Sequence, residues 1–329
     1  MGEDCRRSSV VKQPVRSACC LSFHARRALI PYRLRYHADV DASSTPSDGT
    51  PGSNPSVSAL IKIAHASKLF LALKSDVTTW VGARPYSEIA NFSDDRLQWS
   101  LHLKVGAPPP TQDWSAQVGD TLHNLRSALN AAIWDYANRN RQEIRHPKLV
   151  QFPIVEGAND WPNEAKKRLQ GVAPEIVERI KNIQPFNRPL EERAQDALLL
   201  LENLNNHDKH RSVIVAKLTP QAIEHTFEVE FASDLAAARN SPPDVTIHVP
   251  DFSEDALLVE YRARDPITKV KGGFDVVFEL WVETASGLQP LFQTLDSLIR
   301  YVKIVLSVMH DEEARDYPPA LTQSPGSSN

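Results

Sequence analysis

Cysteine is missing from most of this chain. Cys5, Cys19 and Cys20 fall in the first twenty residues of 329, and none follows. The rest of the chain therefore has no disulfide framework, cysteine nucleophile or thiolate metal site. That usage fits a reducing compartment, and a cytoplasmic protein is expected. Glycine is scarce at twelve residues, and no G-x-S-x-G, G-x-G-x-x-G or G-x-x-x-x-G-K-[ST] occurs. Serine-hydrolase, dinucleotide-binding and P-loop chemistries lose their usual signatures. Long apolar runs are absent too. The longest in a helical region, Ala197 to Leu201, is five residues, against the ~20 that a membrane span needs.

No strong basic excess is present either. The net charge is -4. Residues 1–45 carry eight Lys or Arg against four Asp or Glu, a local +4, which leaves -8 for the remainder. A mildly acidic body argues against broad coating of nucleic acid and leaves room for a local cationic pocket. What remains is ordinary for a soluble globular protein: 41% hydrophobic and 24% charged residues, enough to bury a core without staples.

Residues 1–55 lack sustained periodicity and end in a stretch rich in Ser, Pro and Gly. They read as a disordered basic arm, or as sequence upstream of the true start; an Arg- and Ser-containing start also has some transit-peptide character. Residues 56–312 read as one globular domain, and 313–329 as a polar, disordered tail.

Within the body, apolar residues recur at helical spacing over 56–83, 112–138, from Leu190 to Leu204 in a helix that Pro189 can open, and over 288–311. Asp113 is a plausible N-cap of the second helix. Shorter helices fit 160–170 and 174–183, the latter opened by Pro174. Residues 97–105 alternate as a strand, and strand-like runs follow near 212–218, 224–232, 244–249, 256–264 and 273–283. The expected fold is α+β: a bundle of about four long helices, with an antiparallel sheet of about five strands inserted before the last one.

Two polar clusters carry the chemistry. The first, Gly119 to Arg126, continues to Ser127 and Asn130 along the face of the second helix opposite its apolar stripe. An ordinary solvated face is rich in Glu and Lys; this one has short, stiff donors, with Trp134 beside them. The second, Asn203 to Arg211, lies at the end of the Leu-rich helix. There Lys209, His210 and Arg211 suit the helix dipole, and Asn205 or Asn206 suits a C-terminal cap. Read functionally, His123, His210 and Asp208 are candidate catalytic residues. Asp120, Asn124, Arg126, Asn130, Lys209 and Arg211 are candidate ligand-binding residues for an anion. A cation at His207, His210, Asp120 and His123 would face repulsion from Lys209 and Arg211, so no metal is expected, and no cofactor.

The runs Gly119-Asp120-x-x-His123-Asn124-Leu125-Arg126-Ser127-Ala128-Leu129, Gln151-Phe152-Pro153-Ile154, Gln184-Pro185-Phe186 and Asp208-Lys209-His210-Arg211 resemble landmarks of an uncharacterised bacterial protein family. In that family an Asp often follows the Arg-Ser-Ala-Leu run, where this chain has Asn130. More distantly, the chain is similar to HEPN-type helical bundles. Many of those are ribonucleases using an Arg, four to six intervening residues, then a His, a spacing met by Arg139 or Arg141 with His146. Three functions follow as expectations. The first is a site for a phosphate-bearing small molecule or RNA, possibly catalytic and with no membrane partner. The second is a non-enzymatic interaction module whose polar clusters are structural. The third is a HEPN-like ribonuclease.

Overall fold

A computed structural model describes residues 56–139, 143–211, 217–248 and 252–310, with the backbone alone for 207–211, 217–226 and 273–278. The expected basic arm and polar tail lie outside the described residues. The fold is α+β, with antiparallel sheets and a last long helix after the strands. The chain forms two compact units. The described part of the first is 70–118, 217–248 and 252–294; that of the second is 56–69, 119–139, 143–211 and 295–310.

Among the described residues the first unit holds seven strands in two sheets. Strands β1 (Tyr86–Phe92), β2 (Gln98–Val105), β5 (Leu257–Arg262) and β4 (Asp244–Ile247) make one, in that order. Strands β3 (Lys217–Phe231), β6 (Ile267–Thr284) and β7 (Gly287–Pro290) make the other. The strands expected to form a single sheet are therefore divided between two. The alternation read at 97–105 places Trp99, Leu101 and Leu103 on the buried face of β2. They join Leu258, Val259, Tyr261 and Ile267 in one core, against which Phe227, Val229 and Val270 pack. Trp99 meets Phe227 edge to face at 5.0 Å between centroids and stacks on Tyr261 at 6.1 Å.

Two runs expected as separate strands, 212–218 and 224–232, fuse into β3. Pro220 sits where its register with β6 shifts, a bulge being where a strand tolerates a residue without an N–H. Strand β1 was not expected, because it is exposed on both faces and so shows no buried-polar alternation. The short helix α7 (Asp234–Arg239) is announced by Ser233, whose side chain accepts from the Ala236 N–H.

The second unit is helical. Helix α2 (Thr111–Arg139) begins two residues before Asp113, which lies in its first turn and is not the cap. Its residues Leu122, Leu125, Leu129, Ala132, Ile133 and Tyr136 are buried, as are Leu295, Leu298, Val302, Val305 and Met309 of α8 (Leu291–His310). Helix α1 (Val57–Gly82) starts at Ser56, whose hydroxyl accepts from the Ala59 N–H at 3.1 Å and donates to Asp135 of α2. Ala59, Leu60, Ala132, Tyr136 and Leu306 line a cavity of about 20 Å³ beside it, room for a single water.

Helices α3 (Trp161–Arg168) and α4 (Pro174–Asn182) match their expected positions. Gly171 joins them at φ 79°, where an added Cβ would lie 2.8 Å from the Ala137 carbonyl oxygen of α2. Gly171→Ala is expected to combine left-handed strain with this clash. It should lose about 2 kcal/mol, roughly 4–8 °C in melting temperature by calorimetry.

The single helix expected from Pro189 is two: α5 (Leu190–Arg193) and α6 (Ala197–Arg211). Asp196 makes the break. Its Oδ1 accepts from the N–H groups of Leu198 (2.9 Å) and Leu199 (3.3 Å), capping α6, while Oδ2 accepts from Arg188 Nε at 3.2 Å. Arg188 also donates to the Tyr301 hydroxyl of α8 at 3.2 Å. Burial pushes the Asp196 carboxyl above the usual carboxylate range, against the opposing pull of its donors.

Candidate functional site

The first polar cluster is built on α2 and closes on its own neighbours. Arg126 is 6% exposed although it lies opposite the apolar stripe. Its guanidinium donates from Nε to Glu202 Oε2 of α6 at 2.6 Å, from Nη1 to Asn130 Oδ1 at 2.8 Å, and from Nη2 to the Phe152 carbonyl at 2.9 Å. Asn130 Oδ1 accepts as well from the Phe152 N–H at 3.1 Å. Arg126 and Asn130 are i,i+4 neighbours, so one face of one helix supplies both groups that hold residue 152. Burial lowers the Arg126 proton affinity from its ordinary value; the Glu202 carboxylate opposes that shift, and the nearby Arg168 adds to it. An arginine stays charged through such a shift, and the ion pair with half-buried Glu202 supplies the counter-charge.

The other expected residues are placed differently. Asn124 is buried, and its amide donates to the Asp120 carbonyl one turn back, at 2.8 Å. It therefore serves its own helix and does not present that donor to a ligand. Asp120 and His123 are exposed, with His123 Nε2 lying 3.4 Å from Ser127 Oγ. Trp134, on the same face, is also exposed. Helix α6 continues to Arg211, so Asn205 and Asn206 are interior positions and not caps; Asn205 is buried. The side chains of Asp208, Lys209, His210 and Arg211 lie outside the described residues. So does Arg141. Arg139 is the last residue of α2, with its guanidinium over the Tyr136 ring at 4.7 Å from the centroid, and His146 lies in the loop ahead of a 3-10 turn at Pro147–Leu149.

Two contributors to this cluster were not anticipated. Glu202 was one, and its signal was present: it is the acid that interrupts the Leu-rich run of α6. The Phe152 main chain was the other, and no residue type marks a carbonyl. Gln184, within the noted Gln-Pro-Phe run, has a similar part. It is fully buried, accepts from the Val155 N–H at 2.9 Å and donates to the Ile180 carbonyl at 3.0 Å.

Among the described residues no group of three or more His, Cys, Asp or Glu side chains is placed to hold a metal ion. No described helix is long and apolar enough to cross a membrane. Comparison of the chain with models of protein families, with curated proteins and with solved structures finds no match in any of the three.

Proposed function

We propose that this protein is a non-enzymatic interaction module, and that its α2 polar cluster is a structural clamp. The observation that carries this reading is the engagement of Arg126. Three acceptors on α2, on α6 and in the 151–154 segment take up its Nε, Nη1 and Nη2. A guanidinium kept for an incoming phosphate would hold its fork open to solvent. Contact with other proteins then falls to the sheet surface, where Ile89 and Phe92 of β1 and Ile247 of β4 are exposed at the two edges of the four-stranded sheet.

A thermal-shift screen tests the proposal. Nucleotides and phosphosugars are expected to leave the melting temperature unchanged. A ligand at one hundred times its dissociation constant stabilises by about 2.7 kcal/mol, a shift of several degrees. Such a shift, lost in a Lys209→Ala, Arg211→Ala double variant, would establish the phosphate-binding reading and remove the module.

A further inference from the structure

Strand β1 is a sheet edge without the usual protections. An edge presents a row of backbone N–H and C=O groups, and proteins blunt it with short strands, Pro, Lys or bulges. Strands β4 and β7 are four residues each, and β7 ends in Pro290. Strand β3 carries Pro220 and two register shifts. Strand β1 runs for seven residues without Pro, Lys or Arg, and it pairs with β2 in unbroken register. From Ser87 to Phe92 every residue is exposed. The contacts at its two ends fix which backbone groups face outward. The Gly106 N–H donates to the Pro85 carbonyl at 2.8 Å, and the Ser93 N–H to the Gln98 carbonyl at 3.0 Å. By alternation Ser87, Ile89 and Asn91 turn their backbone groups toward β2. Glu88, Ala90 and Phe92 turn theirs outward, where no strand among the described residues pairs with them.

We infer that this edge pairs with the same edge of a second copy, antiparallel about a two-fold axis at Ile89, and so joins two four-stranded sheets into one. The outward groups require that Glu88 and Ala90 of the copy exchange both backbone hydrogen bonds, and Ala90 and Glu88 of the copy likewise. The side chains of β1 are self-complementary in that register. Ile89 meets Ile89 at the axis, Ser87 meets Asn91, and Tyr86 meets Phe92. The single charge, Glu88, faces an alanine. Centring the axis on Glu88 would set two carboxylates directly opposite each other. Centring it on Ala90 would run Tyr86 and Ser87 past the end of the strand at Phe92. Pairing also takes Ile89 and Phe92, 44% and 37% exposed, out of water. This contact supplies the partner for the interaction module proposed above, and it rests on that reading for placing contact at this sheet.

Sedimentation velocity on the full chain tests this. Monomer is expected to give way to dimer with a dissociation constant on the order of 10 µM, the weak end for specific interfaces. Ala90→Pro removes an outward N–H and no β1–β2 bond, so it should abolish the dimer and keep the melting temperature. Ile89→Lys sets two ammonium groups opposite each other and should weaken the dimer roughly tenfold, which keeps the test decisive if Ala90→Pro does not fold. In a chain carrying Cys5→Ser, Cys19→Ser and Cys20→Ser, Ile89→Cys should form a disulfide-linked dimer on oxidation with diamide, because Cα atoms in such an axial pair lie ~4.5 Å apart. Ser87→Cys, which faces Asn91 of the copy, should yield none. Three results would each overturn the pairing: a monomer at every concentration up to about 1 mM, a dimer indifferent to both Ala90→Pro and Ile89→Lys, or crosslinking at Ser87→Cys equal to that at Ile89→Cys. None of these depends on the ligand screen above, so failure of the pairing and failure of the module reading are told apart.

Discussion

Arg126→Ala is expected to lower stability by about 3 kcal/mol, roughly 6–12 °C in melting temperature for a chain of this size. Removing the guanidinium leaves Glu202 without its cation, Asn130 Oδ1 with a single donor and the Phe152 carbonyl without one. Buried acceptors without partners cost about 1–3 kcal/mol each, and the cavity left by the side-chain stem adds to that. Glu202 tempers the loss, because its half-exposed carboxylate can turn to water. Lysine should recover little, since a point charge cannot serve three acceptors set out for a planar fork. Asn130→Asp is the informative companion. The accepting oxygen is what Arg126 and Phe152 use, and a carboxylate supplies it in the same place, so the melting temperature should hold or rise. Chemical or thermal denaturation, read by circular dichroism, measures both. An Arg126→Ala variant with unchanged stability would show that the clamp is not structural and would reopen a ligand role for that face.

The second large effect lies at Asp196. Asp196→Ala is expected to lose about 3–5 kcal/mol, because the buried Arg188 loses its carboxylate and α6 loses its cap in one change. Asp196→Asn should lose roughly half as much. Its amide oxygen still accepts from the α6 N–H groups, while the charge opposite Arg188 is gone. Equal losses in the two variants would mean that the ion pair dominates and the cap contributes little. Denaturant titration to a midpoint separates the cases, with the slope checked for constancy so that differences report stability alone.

Much of the fold was legible because long helices and alternating strands announce themselves by period. The stripes of α1, α2 and α8 and the alternation of β2 gave boundaries within a few residues. What failed was local and physical. Leu190, Ala194, Ala197 and Leu198 continue a helical period straight through Asp196, so the pattern concealed a cap that interrupts it. The runs 212–218 and 224–232 looked like separate strands, and Pro220 between them sits at a register shift within one long strand. The division of the strands between two sheets depends on pairing, which period does not encode. At the site, residue type located Arg126 and Asn130 correctly on a polar face. It could not show that this face is covered, because the covering group is the main chain of residue 152.

That covering has a consequence for how the 151–154 segment is held. Phe152 has both its N–H and its C=O engaged, and both partners are side chains of one helix. A helix here does what a neighbouring strand would do in a ladder, reading backbone and not side chain. The hydrogen bonds at 152 are therefore indifferent to which apolar residue stands there, and proline alone is barred by its missing N–H. The choice of side chain at 152 is set separately, by packing, since Phe152 is fully buried.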